Sequence, residues 1–317
     1  MSSSSNVTYL ILDGFVELET YRYLYFVITL VVYLGIICCN CVVIFVICTN
    51  KCLHEPMYIF ITALLLNSLL GTLAFYPKFL IDLLSEKQVV SLESCLFQSY
   101  CIYTYATSEF TLLTAMAYDR YVSICKPLQY STLVNITTVK KLLFFCWFVP
   151  SCENCVTLIL PSQVYVLHNK LCKFRLNRIY CSNSTVVKLS CGDTSVRNSY
   201  GMFVFSVAVF PPMFIIIFTY IRIITECLKN SKNFRRKALQ TCFPHLFIFI
   251  TFTVTSCFEV INSRFEGNVP HIFSIIMSVE NLVISPLINP IIYGLKMQEI
   301  WSRIKQMVWK KKSVLSF

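Results

Sequence analysis

A pair of opposite charges stands out in the stretch "MAYDRYVSICKPLQY" (116–130), where Asp119 and Arg120 are neighbours at the end of a long apolar run. At the mouth of a membrane-spanning helix, such a pair is half solvated and can exist paired or released. A group with two such arrangements is suited to a conformational switch. The alternative is an ordinary interfacial anchor, which an isolated pair would favour.

The sequence offers little for catalysis or for metal and nucleotide binding. Its four histidines, His54, His168, His245 and His271, lie far apart and form no HExxH motif. Its 7 glycines form neither GxxxxGK[ST] nor GxGxxG. No nucleophile and base fall at one depth of the predicted membrane. We therefore expect neither an enzyme nor a cofactor-binding protein.

The elements that position these residues are predicted to be membrane helices. The chain is 56% hydrophobic and 14% charged, whereas soluble proteins carry about 25% charged residues. The mean hydropathy is +0.66. The net charge of +11 could indicate nucleic-acid binding, but that would need a basic face on a soluble domain. Because the basic residues lie between apolar stretches, they point to a membrane surface and no nucleic acid.

Seven stretches are long and apolar enough to span a bilayer, which takes roughly 20 residues per helix. The third and seventh are interrupted by polar residues, as is typical of helices that face a bundle interior. We predict an all-α membrane protein with a seven-transmembrane helix bundle. The stretches are 24–49, 57–81, 96–118, 141–161, 200–225, 239–261 and 270–294.

Basic residues predict the orientation of these spans. With the N-terminus outside, most of the 27 Lys and Arg residues fall on the inner side, where membrane proteins concentrate them. We predict an extracellular N-terminus (1–23), a seven-transmembrane domain (24–295) and a cytoplasmic tail (296–317).

The tail is predicted to form a short amphipathic helix on the inner leaflet. Its apolar residues recur at helical spacing, with basic and polar residues on the other face. A disordered basic tail is the alternative. The apolar residues are Met297, Ile300, Trp301, Ile304, Met307 and Val308.

Cysteines and glycosylation sequons fit this topology. Of 17 cysteines, only Cys95, Cys172, Cys181 and Cys191 fall outside, in the compartment where disulfides persist. Four cysteines allow three pairings, and the sequence alone does not choose among them. Asn6 in "NVT" lies outside and is a predicted glycosylation site.

Several stretches, in order along the chain, resemble the olfactory receptors among the rhodopsin-like G-protein-coupled receptors. They are "LHEPMYIF" (53–60), "MAYDRYVSICKPLQY", "KALQTCFPHL" (237–246) and "SPLINPIIYGLK" (285–296). "GTLAFYPKFLIDLLS" (71–85) is similar to fish olfactory receptors. The resemblance implies a plasma-membrane receptor that binds a small odorant and activates a stimulatory G protein, which raises cAMP. It implies membrane lipid as a further partner and makes 24–295 the receptor domain.

The resemblance also implies a switch at the cytoplasmic side. Asp119 would hold Arg120 at rest, and Arg120 would turn toward the G protein on activation. Tyr220 and Tyr293 would swing inward, beside a helix turn broken by a proline. The implied switch residues are Asp119, Arg120, Tyr121, Tyr220, Asn289, Pro290 and Tyr293.

One departure concerns the second helix, where the family carries an Asp and this chain has Asn67 and Ser68. Glu109 matches a carboxylate common in the family. It could bind Na⁺ together with Asn40, Ser68 and Asn289, or stay neutral and donate a hydrogen bond. The resemblance further implies disulfides between Cys95 and Cys181 and between Cys172 and Cys191.

The implied ligand site lies between helices three, five, six and seven. It would be largely apolar with a few hydrogen-bonding groups, although each residue could equally serve helix packing. The matching residues are Ile102, Tyr103, Ala106, Thr107, Val204, Phe205, Ala208, Ser256, Cys257, Val260, Val279 and Val283.

The second outer loop is strongly basic and would concentrate anions. We therefore also consider a small organic anion, or an amphiphile with an anionic head, as the ligand. The alternative is a solvated loop whose charges aid only folding and solubility. The basic residues are Lys170, Lys173, Arg175, Arg178, Lys188 and Arg197, against the single acid Asp193.

A transporter and a non-olfactory receptor are the two alternative functions. A transporter would usually show internal repeats and paired broken helices, and the sequence shows no repeat. A non-olfactory rhodopsin-like receptor for a hormone or peptide is the nearest rival. The short N-terminus and the "PMY" and "KALQTC" stretches weigh against it.

Overall fold

A computed structural model describes residues 9–168, 174–176, 178–182, 189, 195–264 and 271–314. Within these, the side chains of 16–19, 159–168, 195–198, 237, 262–264, 271–279 and 308–314 are not described. Several predicted residues therefore lie outside the described part of the chain: Asn6, Lys170, Cys172, Lys173, Lys188, Cys191 and Asp193. For Arg197, Val279 and Val308, only the backbone is described.

Seven long helices and one shorter helix account for most of the described residues. Each predicted span falls within one long helix to within one residue, which confirms the predicted fold class. The helices continue past the apolar stretches because a helix need not end where the hydrocarbon does. They are α1 Arg22–Thr49, α2 Pro56–Leu84, α3 Leu92–Cys125, α4 Ile136–His168, α5 Ser195–Lys229, α6 Lys232–Arg264, α7 His271–Lys296 and α8 Gln298–Val314.

Length and hydropathy alone identify fewer spans. Among the described residues, Arg22–Thr49, Pro56–Leu84, Ser199–Lys229 and Lys232–Ile261 could each cross a membrane. The bent pair Pro127–Leu133 and Ile136–Leu158 is a fifth candidate. The helix α3 is not in this set because it carries polar side chains, and these are buried against other helices instead of facing lipid.

The outward faces of α1 and α5 are apolar, as expected for helices that contact lipid. In a soluble protein an exposed apolar surface of this extent would be an association site. The exposed residues include Val27, Val31 and Leu34 on α1, and Phe214, Ile217, Phe218 and Ile221 on α5.

Local sequence signals set where the helices begin. Pro56 occupies the first turn of α2, where its missing N–H costs nothing and its fixed φ suits the helix. Ser91 caps α3, because its hydroxyl oxygen accepts a hydrogen bond from the N–H of Ser94 at 3.2 Å. The first residues of α2 and of α3 are thus each set by a local sequence signal.

A small sheet joins the outer segments of the chain. Strand β1 (Tyr9–Leu12) lies between β2 (Val89–Ser91) and β3 (Arg175–Leu176). It pairs antiparallel with β2 and parallel with β3. Leu10 and Leu12 are buried on one face of β1 while Tyr9 and Ile11 are exposed, the alternation of a half-buried strand.

A disulfide ties the outer end of α3 to this region. Cys95 and Cys181 are bonded, with their Cα atoms 5.2 Å apart, which confirms one of the implied pairings. The Gln98 side chain adds a second link, because its Oε1 accepts the N–H of Cys181 at 3.1 Å. The second implied disulfide lies outside the described residues.

Close packing of α2 on α3 depends on Gly71. A Cβ at this position would lie 2.5 Å from Cγ of the Tyr105 ring, well inside van der Waals contact. Tyr105 is buried, so its ring has little room to move away. Gly71 therefore sets how closely the two helices approach.

We predict that Gly71→Ala lowers both surface expression and the thermal unfolding midpoint of the solubilised protein. Overpacking of this kind costs about 1–3 kcal/mol. Gly35→Ala is the matched control, because a Cβ at Gly35 would have no neighbour within 4 Å. Equal behaviour of the two variants would show that the α2–α3 approach is not limiting.

Candidate functional site

A cleft opens between α3, α4 and α5 in the outer half of the molecule. Its α3 residues, Ser99, Tyr100, Tyr103 and Thr107, are spaced so that they share one helix face. The cleft is bounded on the other sides by Asn154, Thr157 and Leu158 on α4, and by Gly201, Val204, Phe205 and Ala208 on α5.

Five of the predicted ligand residues line this cleft: Tyr103, Thr107, Val204, Phe205 and Ala208. The structure thus brings together two of the four predicted residues of α3 and all three of α5. The described residues of α6 and α7 do not take part. The predicted residues that do not line the cleft are Ile102, Ala106, Ser256, Cys257, Val260 and Val283.

Of the predicted residues of α6 and α7, Ser256 lies at the interface between these two helices. The side chain of Asn281 donates to the hydroxyl of Ser256 at 3.2 Å and accepts from the hydroxyl of Thr255. These polar groups satisfy one another across α6 and α7. Ile102 is part of the buried core instead of a cavity wall.

The contribution of α4 was missed from sequence. Asn154 is buried in the middle of an apolar helix, a costly place for an amide unless it has partners or a function. The cost of burying an amide there is the sequence signal that could have identified Asn154. Its Nδ2 donates to the hydroxyl of Thr107 at 2.9 Å and to the Pro150 carbonyl at 2.8 Å.

Below the cleft, Glu109 forms the polar centre of the bundle. Its side chain is fully buried. One carboxylate oxygen accepts Nδ2 of Asn67 from α2 at 2.8 Å, and the other accepts Nδ2 of Asn289 from α7 at 2.7 Å. The Asn289 amide also donates to the Ser68 hydroxyl at 3.2 Å. Three helices therefore meet at one carboxylate.

Oxygen atoms without partners surround this centre. Within the described part of the chain, Asn40 Oδ1, Ser108 Oγ and Asn289 Oδ1 are buried and have no hydrogen-bond partner. Oxygen is the donor type that hard cations prefer, and Glu109, Ser68, Asn40 and Asn289 each carry a side-chain oxygen. The described residues hold no cluster of three or more His, Cys, Asp or Glu side chains, so this set fits Na⁺ better than a transition metal.

At the C-terminal end of α3, the side chain of Asp119 hydrogen-bonds a tyrosine and not its neighbour. Its carboxylate accepts the Tyr130 hydroxyl at 2.8 Å. Burial, followed by the charge of Asp119, raises the pKa of the Tyr130 hydroxyl, so the proton stays on Tyr130. No ion pair joins Asp119 to Arg120 in the chain as described. The resting pair of Asp119 with Arg120 that the resemblance implies therefore stays a prediction.

Arg120 instead lies inside the cytoplasmic half of the bundle. Its side chain is buried. Tyr220, His245 and Tyr293 are also buried, and His245 contacts α3 at Leu113, 7 residues before Arg120. Tyr293 is itself buried, with its hydroxyl 4.0 Å from the sulfur of Met116. Both tyrosines that the resemblance implies for the switch are thus buried inside the bundle, as is Arg120.

His245 joins α3, α5 and α6 at this level and was missed from sequence. Its Nε2 donates to the Leu113 carbonyl at 2.8 Å, because a carbonyl can only accept. Its Nδ1 then accepts the Tyr220 hydroxyl at 2.8 Å. The signal was a lone histidine inside a span, the last but one residue of "KALQTCFPHL".

The remaining switch residues flank this centre. Pro290 is buried in α7 next to Asn289, and Tyr121 is half-buried with Lys126 Nζ 5.9 Å from its ring centre. The helix α8 docks beside them through the buried Ile300.

A hydrogen bond from the Tyr58 hydroxyl to Glu299 fixes α8 to α2. Met297 is also buried, whereas Trp301 and Ile304 are half-buried and Met307 is exposed. This gradient fits an amphipathic helix that lies along the bundle.

The basic residues described in the second outer loop are matched by acids from other segments. Arg178 is buried, with its NH1 3.6 Å from Oε1 of Glu259 on α6. The Tyr180 hydroxyl donates to the same oxygen at 2.9 Å. Arg175 lies 3.6 Å from Asp13, beside β1. These contacts hold the loop over the outer end of the bundle.

Comparison with known proteins agrees with this arrangement. The profile of the olfactory receptor family matches residues 29–311. The chain is 30% identical to human olfactory receptor 6N1 over 305 residues, 95% of each protein. It is 31% identical to mouse olfactory receptor 4B13 over 314 residues, 98% of this chain and 99% of the relative.

Both the family match and the relatives extend over nearly the whole chain, so they cover the cleft, the Glu109 centre and the cytoplasmic end of α3 together. The protein is accordingly a receptor and not an enzyme. The chain belongs to the olfactory receptor family, the odorant-activated, G-protein-coupled receptors of the plasma membrane that signal through cAMP.

Proposed function

We propose that odorant binds in the cleft between α3, α4 and α5, and that the groups around Arg120 engage the G protein. The observation that carries this proposal is the position of both sites on one helix. Thr107 at the cleft floor and Arg120 are 13 residues apart, about 20 Å along α3. The α3 helix also carries Glu109 between them, so a ligand-induced shift of α3 would reach the cytoplasmic end.

The proposed orientation has the N-terminus outside. The Cys95–Cys181 disulfide lies at the cleft end of α3, as expected for the oxidising side. Basic residues such as Arg222, Lys229 and Arg235 lie at the opposite end, as expected for the cytoplasmic side.

In this orientation 1–23 is extracellular, 24–295 is the receptor domain and 296–317 is cytoplasmic. The helix α8 then rests against lipid headgroups of the inner leaflet.

The proposed switch uses the released form of Arg120. Tyr220 and Tyr293 stand inward beside it, and His245 fixes the Tyr220 hydroxyl. Pairing Arg120 with an acid, or freeing it, would give the two arrangements that a switch needs. The G protein stabilises the released arrangement by accepting hydrogen bonds from the guanidinium, which carries five donors.

Arg120→Ala should abolish the cAMP response to every odorant that activates the wild-type receptor. Surface expression and ligand-induced thermal stabilisation should persist, because Arg120 lies far from the cleft. A cAMP reporter, surface labelling and thermal unfolding of the solubilised receptor give the three readings.

Arg22→Ala is the control for that experiment, since it removes a half-buried arginine at the start of α1 that contacts Tyr23. Wild-type signalling by Arg120→Ala would refute the proposed coupling site. Loss of ligand stabilisation would show that Arg120 serves the fold instead.

We further propose that Na⁺ binds beside Glu109, with Asn40, Ser68 and Asn289 as its other ligands. Support comes from the buried oxygens of Asn40 and Asn289 that lack partners among the described residues. A cation would satisfy these oxygens and offset the carboxylate charge.

Sodium should therefore raise the thermal unfolding midpoint of the solubilised receptor, compared with choline at equal ionic strength, because a ligand of the folded state stabilises it. Glu109→Ala should remove this sodium dependence. Identical midpoints in the two salts would leave the amides of Asn67 and Asn289 as the only partners of the carboxylate.

An anionic ligand was the second class suggested by the sequence. Two of the six basic loop residues, Arg175 and Arg178, lie beside Asp13 and Glu259, and no described residue lining the cleft is charged. We therefore propose that the loop attracts anions only at long range, and an anion-selective response is the competing outcome of the ligand test below. The resemblance of residues 71–85 to fish receptors stays a prediction.

A further inference from the structure

We infer that the odorant is a neutral molecule with a hydrogen-bond donor at one end and an apolar body, and that the side-chain oxygen of Asn154 accepts that donor. This inference rests on the proposed odorant site. It assigns the ligand's chemical class from the hydrogen bonds of four of the polar side chains in the cleft, namely Ser99, Thr107, Asn154 and Thr157. It also assigns a specificity-determining role to a residue of α4.

The charge of the ligand follows from the lining. All eleven described lining residues are uncharged. An ionised ligand would lose its hydration there without gaining a counter-charge, which is strongly unfavourable. Arg178 and Glu259 do not supply this counter-charge, because they lie beside each other.

The orientation of the Asn154 amide follows from its partners. The Pro150 carbonyl, 2.8 Å away, can only accept, so the nearer amide atom is the nitrogen. The same nitrogen donates to the Thr107 hydroxyl at 2.9 Å. Both of these hydrogen bonds use Nδ2, so within the described chain Oδ1 is the amide atom not engaged by them, on a residue that lines the cleft. The acceptor end of the amide is thus left for a ligand.

The neighbouring hydroxyls also have no proton to offer. Thr107 donates to the Tyr103 carbonyl at 2.9 Å, and Thr157 donates to the Glu153 carbonyl at 2.8 Å. Asn154, Thr107 and Thr157 therefore present only acceptor oxygens at this end of the cleft. A ligand that meets them needs an O–H or N–H group, since an acceptor there would leave buried groups unpaired.

The rest of the cleft suits an apolar body. Tyr103 and Phe205 supply ring surfaces, and Val204, Leu158 and Ala208 supply aliphatic ones. At the outer end, the buried hydroxyl of Ser99 has no partner among the described residues. It lies 8 residues before Thr107, about 12 Å along α3, which leaves room for a ring or a short chain between the two polar ends.

The first test compares four probes that share one body: phenethyl alcohol, its methyl ether, phenylacetate and phenethylamine. Each is titrated on cells with a cAMP reporter, and each is added to the solubilised receptor in thermal unfolding. The alcohol should act at a concentration at least about tenfold lower than the ether, the value of one satisfied hydrogen bond. The carboxylate and the ammonium compound should be weaker than both.

The second test changes the acceptor. Asn154→Leu should remove the advantage of the alcohol over the ether while leaving the ether's own potency within about threefold, because only the donor contact is lost. Asn154→Asp keeps an acceptor oxygen and adds a negative charge, so phenethylamine should gain at least about tenfold. If Asn154→Leu does not reach the cell surface, the gain of phenethylamine on Asn154→Asp still tests whether this side chain contacts the ligand.

The outcomes separate this inference from the proposed function. Alcohol-selective thermal stabilisation without any cAMP response would support the ligand class and refute the coupling proposal. A cAMP response led by phenylacetate or phenethylamine, or an alcohol preference that survives in Asn154→Leu, would overturn the ligand assignment and leave the receptor function intact. The absence of selective stabilisation by any of the four probes would overturn it too.

Discussion

The arrangement of the bundle depends on the burial of one carboxylate. A fully buried charge is costly unless hydrogen bonds compensate it. The two oxygens of Glu109 receive amide N–H groups from Asn67 on α2 and Asn289 on α7. Because these bonds have short reach and fixed direction, α2, α3 and α7 can meet in only one register.

This centre leaves the two ends of α3 free for separate tasks. The outer end is joined to the second outer loop by the Cys95–Cys181 disulfide. It lines the cleft together with α4 and α5. The inner end carries Arg120, which is buried inside the bundle. The helix α5 also serves both ends, since Phe205 lines the cleft and Tyr220 binds His245. The ligand site and the switch thus share two helices.

Hydropathy and helical periodicity predicted the helices and the position of α8, and the family resemblance supplied the Cys95–Cys181 pairing. These features depend on the thickness of the bilayer and on local residue patterns, which one sequence displays. Asp119 shows the limit of such patterns, because nothing local indicated that its carboxylate accepts the Tyr130 hydroxyl.

The cleft was predicted only in part because its α4 wall depends on helix rotation. In a helix that is apolar on all sides, the sequence does not show which face meets α3. Asn154 was missed for this reason, although it is a polar residue inside a span. The pairing of β1 with β3 and of Arg178 with Glu259 joins segments far apart in the chain, so no local pattern indicates it.

The most direct measurement of the central claim is a double-mutant cycle on Glu109 and Asn289. The thermal unfolding midpoint of the solubilised receptor is compared for the wild type, Glu109→Ala, Asn289→Ala and the double variant. If the carboxylate and the amide depend on each other, each single variant lowers the midpoint and the double variant falls no further than the worse single one. Independent, additive losses would contradict the claim that this contact fixes the register of the bundle.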